Sequence, residues 1–151
     1  MSRREELSSI TCATGGCLCG EVRYEVNGPM QSIIACHCEQ CRRTSGHFVA
    51  ATAVKGDDVT LTEEKGLRWY HSSDIARRGF CGTCGSSLFW EPTPIEESTE
   101  PHHISIMAGT LDSPTGLALT NHIFVEWKGD YYDLTDGKPQ FAIDTDGEQI
   151  A

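Results

Sequence analysis

Residues 36–46 read CHCEQCRRTSG, and two further cysteine elements flank them: GGCLCGE at 15–21 and RRGFCGTCGSS at 77–87. Seven of the chain's eight cysteines fall in these three short stretches, with Cys12 outside them. Tight CxC and CxxC spacing suits metal ligation or thiol exchange better than long structural bridges. In extended backbone, positions i and i+2 point the same way, so Cys17 and Cys19 can share one ion. Cys81 and Cys84 form a CxxC knuckle, and the glycines on either side let the chain turn tightly around a metal. Two such pairs make a closed four-sulfur site of the structural zinc type. The middle element differs. Cys36, Cys38 and Cys41 place three thiols within six residues, and three protein ligands with an open position is the pattern of a catalytic zinc. Other partitions stay open on spacing alone. Cys36, Cys38, Cys81 and Cys84 could form the four-ligand set, four thiolates also suit iron, and CxxC dithiols serve redox proteins. Cys12 reads as a spare thiol.

The rest of the chain sets the frame for these sites. The 151 residues suit one domain with a real core, and a formal net charge of -10 opposes general nucleic-acid binding. No run of apolar residues is long enough to span a bilayer. The first residues, MSRREELSSI, carry basic groups with no apolar stretch behind them, so no secretory signal is expected and the cytoplasm is the expected compartment. Residues 1–11 are expected to be a flexible N-terminal tail and 12–151 a single zinc-binding, catalytic-type domain. Alternation in EVRYEV (21–26) marks a half-buried strand. SIIAC (32–36), HFVAATAV (47–54), VTLTE (59–63), LRWY (67–70), SSLFW (86–90), HHISIMAG (102–109) and HIFVEW (122–127) continue the series. Gly56, Asp57 and Asp58 supply a turn. EPTPIEESTEP (91–101) reads as a solvated loop, and a single short helix or turn is expected around Ser113–Thr120. Short strands with Gly and Pro turns make the fold mainly β.

At this level the elements GGCLCGEVRYE, CHCEQCRRTSG and FCGTCGSSLF resemble those of the glutathione-dependent formaldehyde-activating enzymes, whose domain the centromere protein V group shares. The stretches GTLD (109–112), HIFVEW and DGKPQF (136–141) are similar to the family's C-terminal part, so the resemblance covers about 15–141. It implies an Mss4-like β fold of short antiparallel strands held by two Zn2+ ions. By resemblance, Cys17, Cys19, Cys81 and Cys84 would hold the structural ion, and Cys36, Cys38 and Cys41 the catalytic one. The implied activity is addition of the thiol of glutathione to formaldehyde, giving S-hydroxymethylglutathione, or the reverse carbon–sulfur lyase reaction. Glutathione would be the co-substrate, and the partners a small-molecule thiol and an aldehyde. No nucleic acid or membrane partner is expected; a homo-oligomer is an option the sequence leaves open.

Around the middle cluster, Arg42 and Arg43 are candidates for gripping the carboxylates of glutathione, with a charge-shielding salt bridge as the plainer role. Arg77 and Arg78 read as structural. His37, between two ligands, would face away from both sulfurs in an extended loop, as a packing or hydrogen-bonding group or a substrate contact. His47 could reach the open site, and Ser45 could hydrogen-bond a sulfur. His102, His103 and His122 read as edge histidines. Trp69, Phe80, Phe89, Trp90, Phe124 and Trp127 read as core or pocket wall. A non-catalytic zinc-binding interaction protein and a thiol redox or metal-handling protein are the alternatives to an enzyme.

Overall fold

The computed structural model describes residues 12–151; the expected tail at 1–11 lies outside them. Two sheets make up the frame. The smaller has three antiparallel strands in the order β1 (Ala13–Gly16), β2 (Arg23–Val26), β5 (Val59–Glu63). The larger has seven, in the order β10 (Leu119–Ile123), β3 (Ile33–Cys36), β4 (Val49–Lys55), β9 (His103–Met107), β8 (Ser87–Pro92), β7 (Ala76–Cys81), β6 (Leu67–Tyr70). The mainly β expectation holds, and all pairs but one are antiparallel. The exception is β10 beside β3, which is parallel. Among the described residues no helix is long and apolar enough to cross a membrane.

Register decides which side chains share a face, because residues directly opposite across a ladder point the same way. One row runs Thr52, Ile106, Phe89, Gly79, Trp69 across five strands. With Val54 and Ile104 it meets Val22, Tyr24 and Val26 of the small-sheet side, and together they form the main core. Tyr24 is buried there, its ring edge-on to Phe89 at 5.4 Å and its hydroxyl 2.7 Å from Thr110 Oγ1. Gly79 is needed in this row. A Cβ there would stand 3.0 Å from both Phe89 and Trp69, whose stacked rings leave no room between them. The adjacent row, Ala53, Ser105, Trp90, Arg78, faces the opposite way. It is this second face that carries a cavity.

Several segments depart from the expected pattern. The one α-helix among the described residues is α1, Glu39–Ser45, inside the middle cysteine element, where no helix was expected. It starts because Cys38 acts as N-cap, its sulfur accepting from Cys41 N at 3.3 Å, and stops because Gly46 takes φ 84° and donates to Arg42 O. The short helix or turn expected around Ser113–Thr120 is absent. Pro114 and Gly116, the latter at φ 68°, interrupt helical backbone, and β10 begins at Leu119. The Gly56–Asp58 turn is a single 3-10 turn. The loop expected at 91–101 begins later, because Glu91 and Pro92 pair with Arg77 and Ala76 at the end of β8. HIFVEW leaves the sheet after Ile123 and ends in a 3-10 turn at Val125–Trp127.

Candidate metal centres

The large and small sheets bring the outer cysteine elements together. Cys17 and Cys19 lie just after β1, and Cys81 closes β7 ahead of the turn to β8. The sulfurs of Cys17, Cys19, Cys81 and Cys84 all lie within 4.8 Å of one another. Two of the separations are 3.6 Å (Cys17–Cys19) and 3.7 Å (Cys19–Cys81). A tetrahedron with zinc–sulfur bonds of about 2.3 Å has edges of about 3.8 Å, so this donor set fits zinc. Backbone amides already serve the sulfurs: Val22 N donates to Cys17 at 3.2 Å and Cys84 N to Cys81 at 3.5 Å. Ser86 links the two knuckles. Its hydroxyl accepts from Leu18 N and donates to Cys84 Sγ at 3.2 Å. That bond, with a second from the Ser86 amide, holds the Cys84 thiol down to about 5. For Cys17 burial opposes ionisation, but the Val22 amide and the thiols of Cys19 and Cys81 outweigh it and lower its pKa. The part played by Ser86 went unread in the sequence, although a hydroxyl two residues past a CxxC pair is a signal that could have found it.

The middle element forms a second group. Cys36 ends β3, Cys38 caps α1 and Cys41 lies one turn into it, with the three sulfurs within 4.8 Å. Cys41 is buried against Val49 and Met107, while Cys36 and Cys38 are half-buried. This group is separate from the main core. Three thiols so close cannot all ionise without a cation. Hydrogen bonds from Cys36 and Cys41 push Cys38 down to about 2, and the same contacts with burial push Cys36 up. The charge concentrated on one sulfur is what a dication would share among three. None of the eight cysteines is in a disulfide, and Cys12 is exposed, apart from both groups.

The arginine beside the trio is Arg78. Its Nη2 and Nη1 stand 3.8 and 4.0 Å from Cys41 Sγ, Nη2 also donates to Gln40 Oε1 at 3.4 Å, and its Nε is buried without a partner. Arg43 turns instead to Glu39, one helical turn back, in an exposed ion pair of 3.0 Å. Arg42 is half-buried, with its Nε unpartnered. Arg77 lies on the other face of β7, 3.8 Å above the Trp69 ring and paired with Glu91 at 2.8 Å. Ser45 donates to the Cys41 carbonyl at 2.7 Å rather than to a sulfur.

His37 is fully buried and joins a chain of polar groups. Its Nδ1 meets Tyr132 Oη, its Nε2 lies 2.9 Å from His122 Nδ1, and His122 Nε2 lies 2.8 Å from Asp136 Oδ2. Burial first, and then the neighbouring His122, pushes His37 down to about 4. An ionised carboxylate only accepts, so His122 Nε2–H donates to Asp136. The ring nitrogens and the Tyr132 hydroxyl carry the chain on from His122 through His37. This chain pins the loop between Cys36 and Cys38, which the His37 amide also ties to Ile123 O at 3.0 Å. His122→Ala would leave the buried His37 Nε2 unpaired beside a new void. The expected cost is about 3 kcal/mol, read as a fall in the urea midpoint of the metal-loaded protein; a loss below about 1 kcal/mol would count against the chain. His47 pairs with Tyr131 Oη at 2.6 Å, His103 with the Pro101 carbonyl, and His102 stands 3.8 Å from Glu91.

A cavity of about 450 Å3 is lined by all three middle cysteines and by Arg78, with Trp90 and Phe124 in its wall. Phe89 and Trp69 pack in or against the core, Phe80 lines a second cavity of about 300 Å3 that Arg78 also lines, and Trp127 is half exposed.

Comparison with known proteins fits this arrangement. The chain is 28% identical over 131 residues to a Schizosaccharomyces pombe protein named an uncharacterized lyase, covering 86% of this chain and 90% of that one. A crystal structure of a Rhodobacter sphaeroides protein shares the fold, with a TM-score of 0.53 and 23% identity over 66% of this chain and 88% of the other. Residues 12–127, which hold both cysteine groups and the whole lining of the larger cavity, match the glutathione-dependent formaldehyde-activating enzymes, and the chain belongs to that family.

Proposed function

We propose that this chain is a zinc-dependent carbon–sulfur lyase, one catalytic-type domain over 12–151, that makes or breaks the C–S bond of glutathione–aldehyde adducts beside Cys36, Cys38 and Cys41. The observation that carries the proposal is the inequality of the two cysteine groups. Four sulfurs enclose one position at the edge of the main core; three face the other, on a cavity wall. Family membership and the lyase name of the yeast relative support a glutathione-related lyase.

Zinc held by the three middle cysteines would lower the pKa of a thiol entering its open position. The chain's own groups do the rest. In the forward direction the thiol sulfur bonds to the carbonyl carbon, and the thiol proton ends on the carbonyl oxygen; the lyase direction reverses both. Three thiolates around a dication leave one negative charge, and the Arg78 guanidinium offsets it from 3.8 Å. The His37 chain holds the ligand loop in one orientation.

Elemental analysis of protein purified without added metal, paired with turnover of S-hydroxymethylglutathione, tests the proposal. Two zinc ions per chain and turnover above the spontaneous rate are expected. Iron with visible absorbance, or turnover no faster than in buffer, would overturn it.

A further inference from the structure

The open face of the large sheet is poorly matched to formaldehyde. The cavity beside the three cysteines measures about 450 Å3. Formaldehyde has two heavy atoms and needs little more than the roughly 30 Å3 share of one water molecule. The volume lies instead in the range of sites for much larger ligands, about 300–1,000 Å3. It exists because the floor is built from small residues, Ala51, Ala53 and Ser105, on the central strands β4 and β9. Ile34, Trp90 and Phe124 stand around that floor.

Nor does the wall complement the body of glutathione, which carries two carboxylates and an ammonium group. Arg78 is the one Arg, Lys, Asp or Glu among the lining residues, and it already faces Cys41. Polar groups of the tripeptide placed on this floor would lose water and gain few partners. An apolar group there would gain by leaving water, about fourfold in affinity for each fully buried methylene.

We infer that the cavity holds the carbonyl-derived half of the adduct, and that this half is an apolar group larger than one carbon: the site selects hemithioacetals of apolar aldehydes. This rests on the lyase proposal above and narrows its substrate class. The chemistry is unchanged by the choice. One C–S bond forms, one proton passes from sulfur to oxygen, and nothing is oxidised or reduced. The aldehyde substituent contributes through binding on the sheet face.

Two unreactive thioethers separate the alternatives. S-hexylglutathione and S-methylglutathione differ by five methylenes at the sulfur, and titration calorimetry on the zinc-loaded full chain reads both. S-hexylglutathione is expected to bind at least tenfold tighter. Affinities equal within twofold would overturn the inference. Ala53→Leu raises the floor at its centre and is expected to cut the hexyl-to-methyl ratio at least threefold; an unchanged ratio in a folded variant would place the hexyl group elsewhere and overturn it too. The wild-type ratio decides the question if that variant does not fold. Failure of the lyase proposal shows differently, as no turnover with any adduct, whatever the binding ratio.

Discussion

Cys81→Ser is expected to leave the chain without a cooperative thermal transition and with no metal at the four-cysteine group. Cys81 is fully buried, belongs to the main core and ends β7. Its sulfur accepts from the Cys84 amide and lies 3.7 Å from Cys19, so it joins the β7–β8 turn to the loop that follows β1. That junction is where the loop after β1 meets the β7–β8 turn and the segment between β5 and β6, and the other polar links there are few: Leu18 to Ser86, Glu21 to Thr83 and Lys65, and the Gly66 amide to the Glu21 carbonyl. Structural zinc in small domains contributes on the order of 10 kcal/mol to folding. Domains of this size are stable by only about 5–15 kcal/mol. Losing the ion therefore removes most or all of the stability, and a smaller oxygen ligand in a buried position does not restore it. Circular dichroism with zinc analysis checks this, and a chelator on the unaltered protein should reproduce the loss. A variant that melts within a few degrees of the parent would show that the clamp is dispensable.

How much of this was legible in the sequence follows from what makes each element. Strands with clear alternation and no competing signal, VTLTE and LRWY, lie at 59–63 and 67–70 as expected. Strand β1, ATGG, is missing from the expected strands because two glycines erase its pattern; it forms by pairing with β2 and by a bridge from Gly15 to Leu111. Strand β7 is missing from the expected strands because its adjacent arginines hide alternation that exists in space, Arg77 lying on Trp69 and Arg78 beside Cys41. Helix α1 has too few residues for a helical period, and a cysteine rather than a hydroxyl caps it. The parallel pairing of β10 with β3 joins residues more than eighty apart, which no local pattern encodes. Each cysteine element was legible because ligand spacing is a local constraint, whereas the union of Cys17 and Cys19 with Cys81 and Cys84 spans 62 residues between Cys19 and Cys81 and was singled out by the family resemblance. The charge partner of the middle group was not: Arg42 and Arg43 are its neighbours along the chain, but the ladder from β9 through β8 to β7 is what brings Arg78 to Cys41.

Cys38→Ser separates the two centres. Serine is among the preferred N-cap residues, so its hydroxyl can replace the sulfur as acceptor for the Cys41 amide and keep α1 in place. The surrounding contacts are those of the smaller cluster of Cys41, Val49 and Met107, and Cys38 itself is only half-buried. The melting temperature is therefore expected to stay within a few degrees of the parent. Two sulfurs remain for the middle ion, one of them the buried Cys41, and zinc content is expected to fall from two to one per chain. Turnover of a glutathione–aldehyde adduct is expected to fall at least a thousandfold, about 4 kcal/mol of barrier. Cys38→Ala should show the same loss of zinc and activity with about 1 kcal/mol of added destabilisation, because it also removes the cap. The pairing of the two variants matters. If serine unfolds the protein, the middle group is structural and the reaction has no centre there. If serine keeps both zinc ions, Cys38 is a cap and not a ligand, and the open position must be sought elsewhere on the cavity wall.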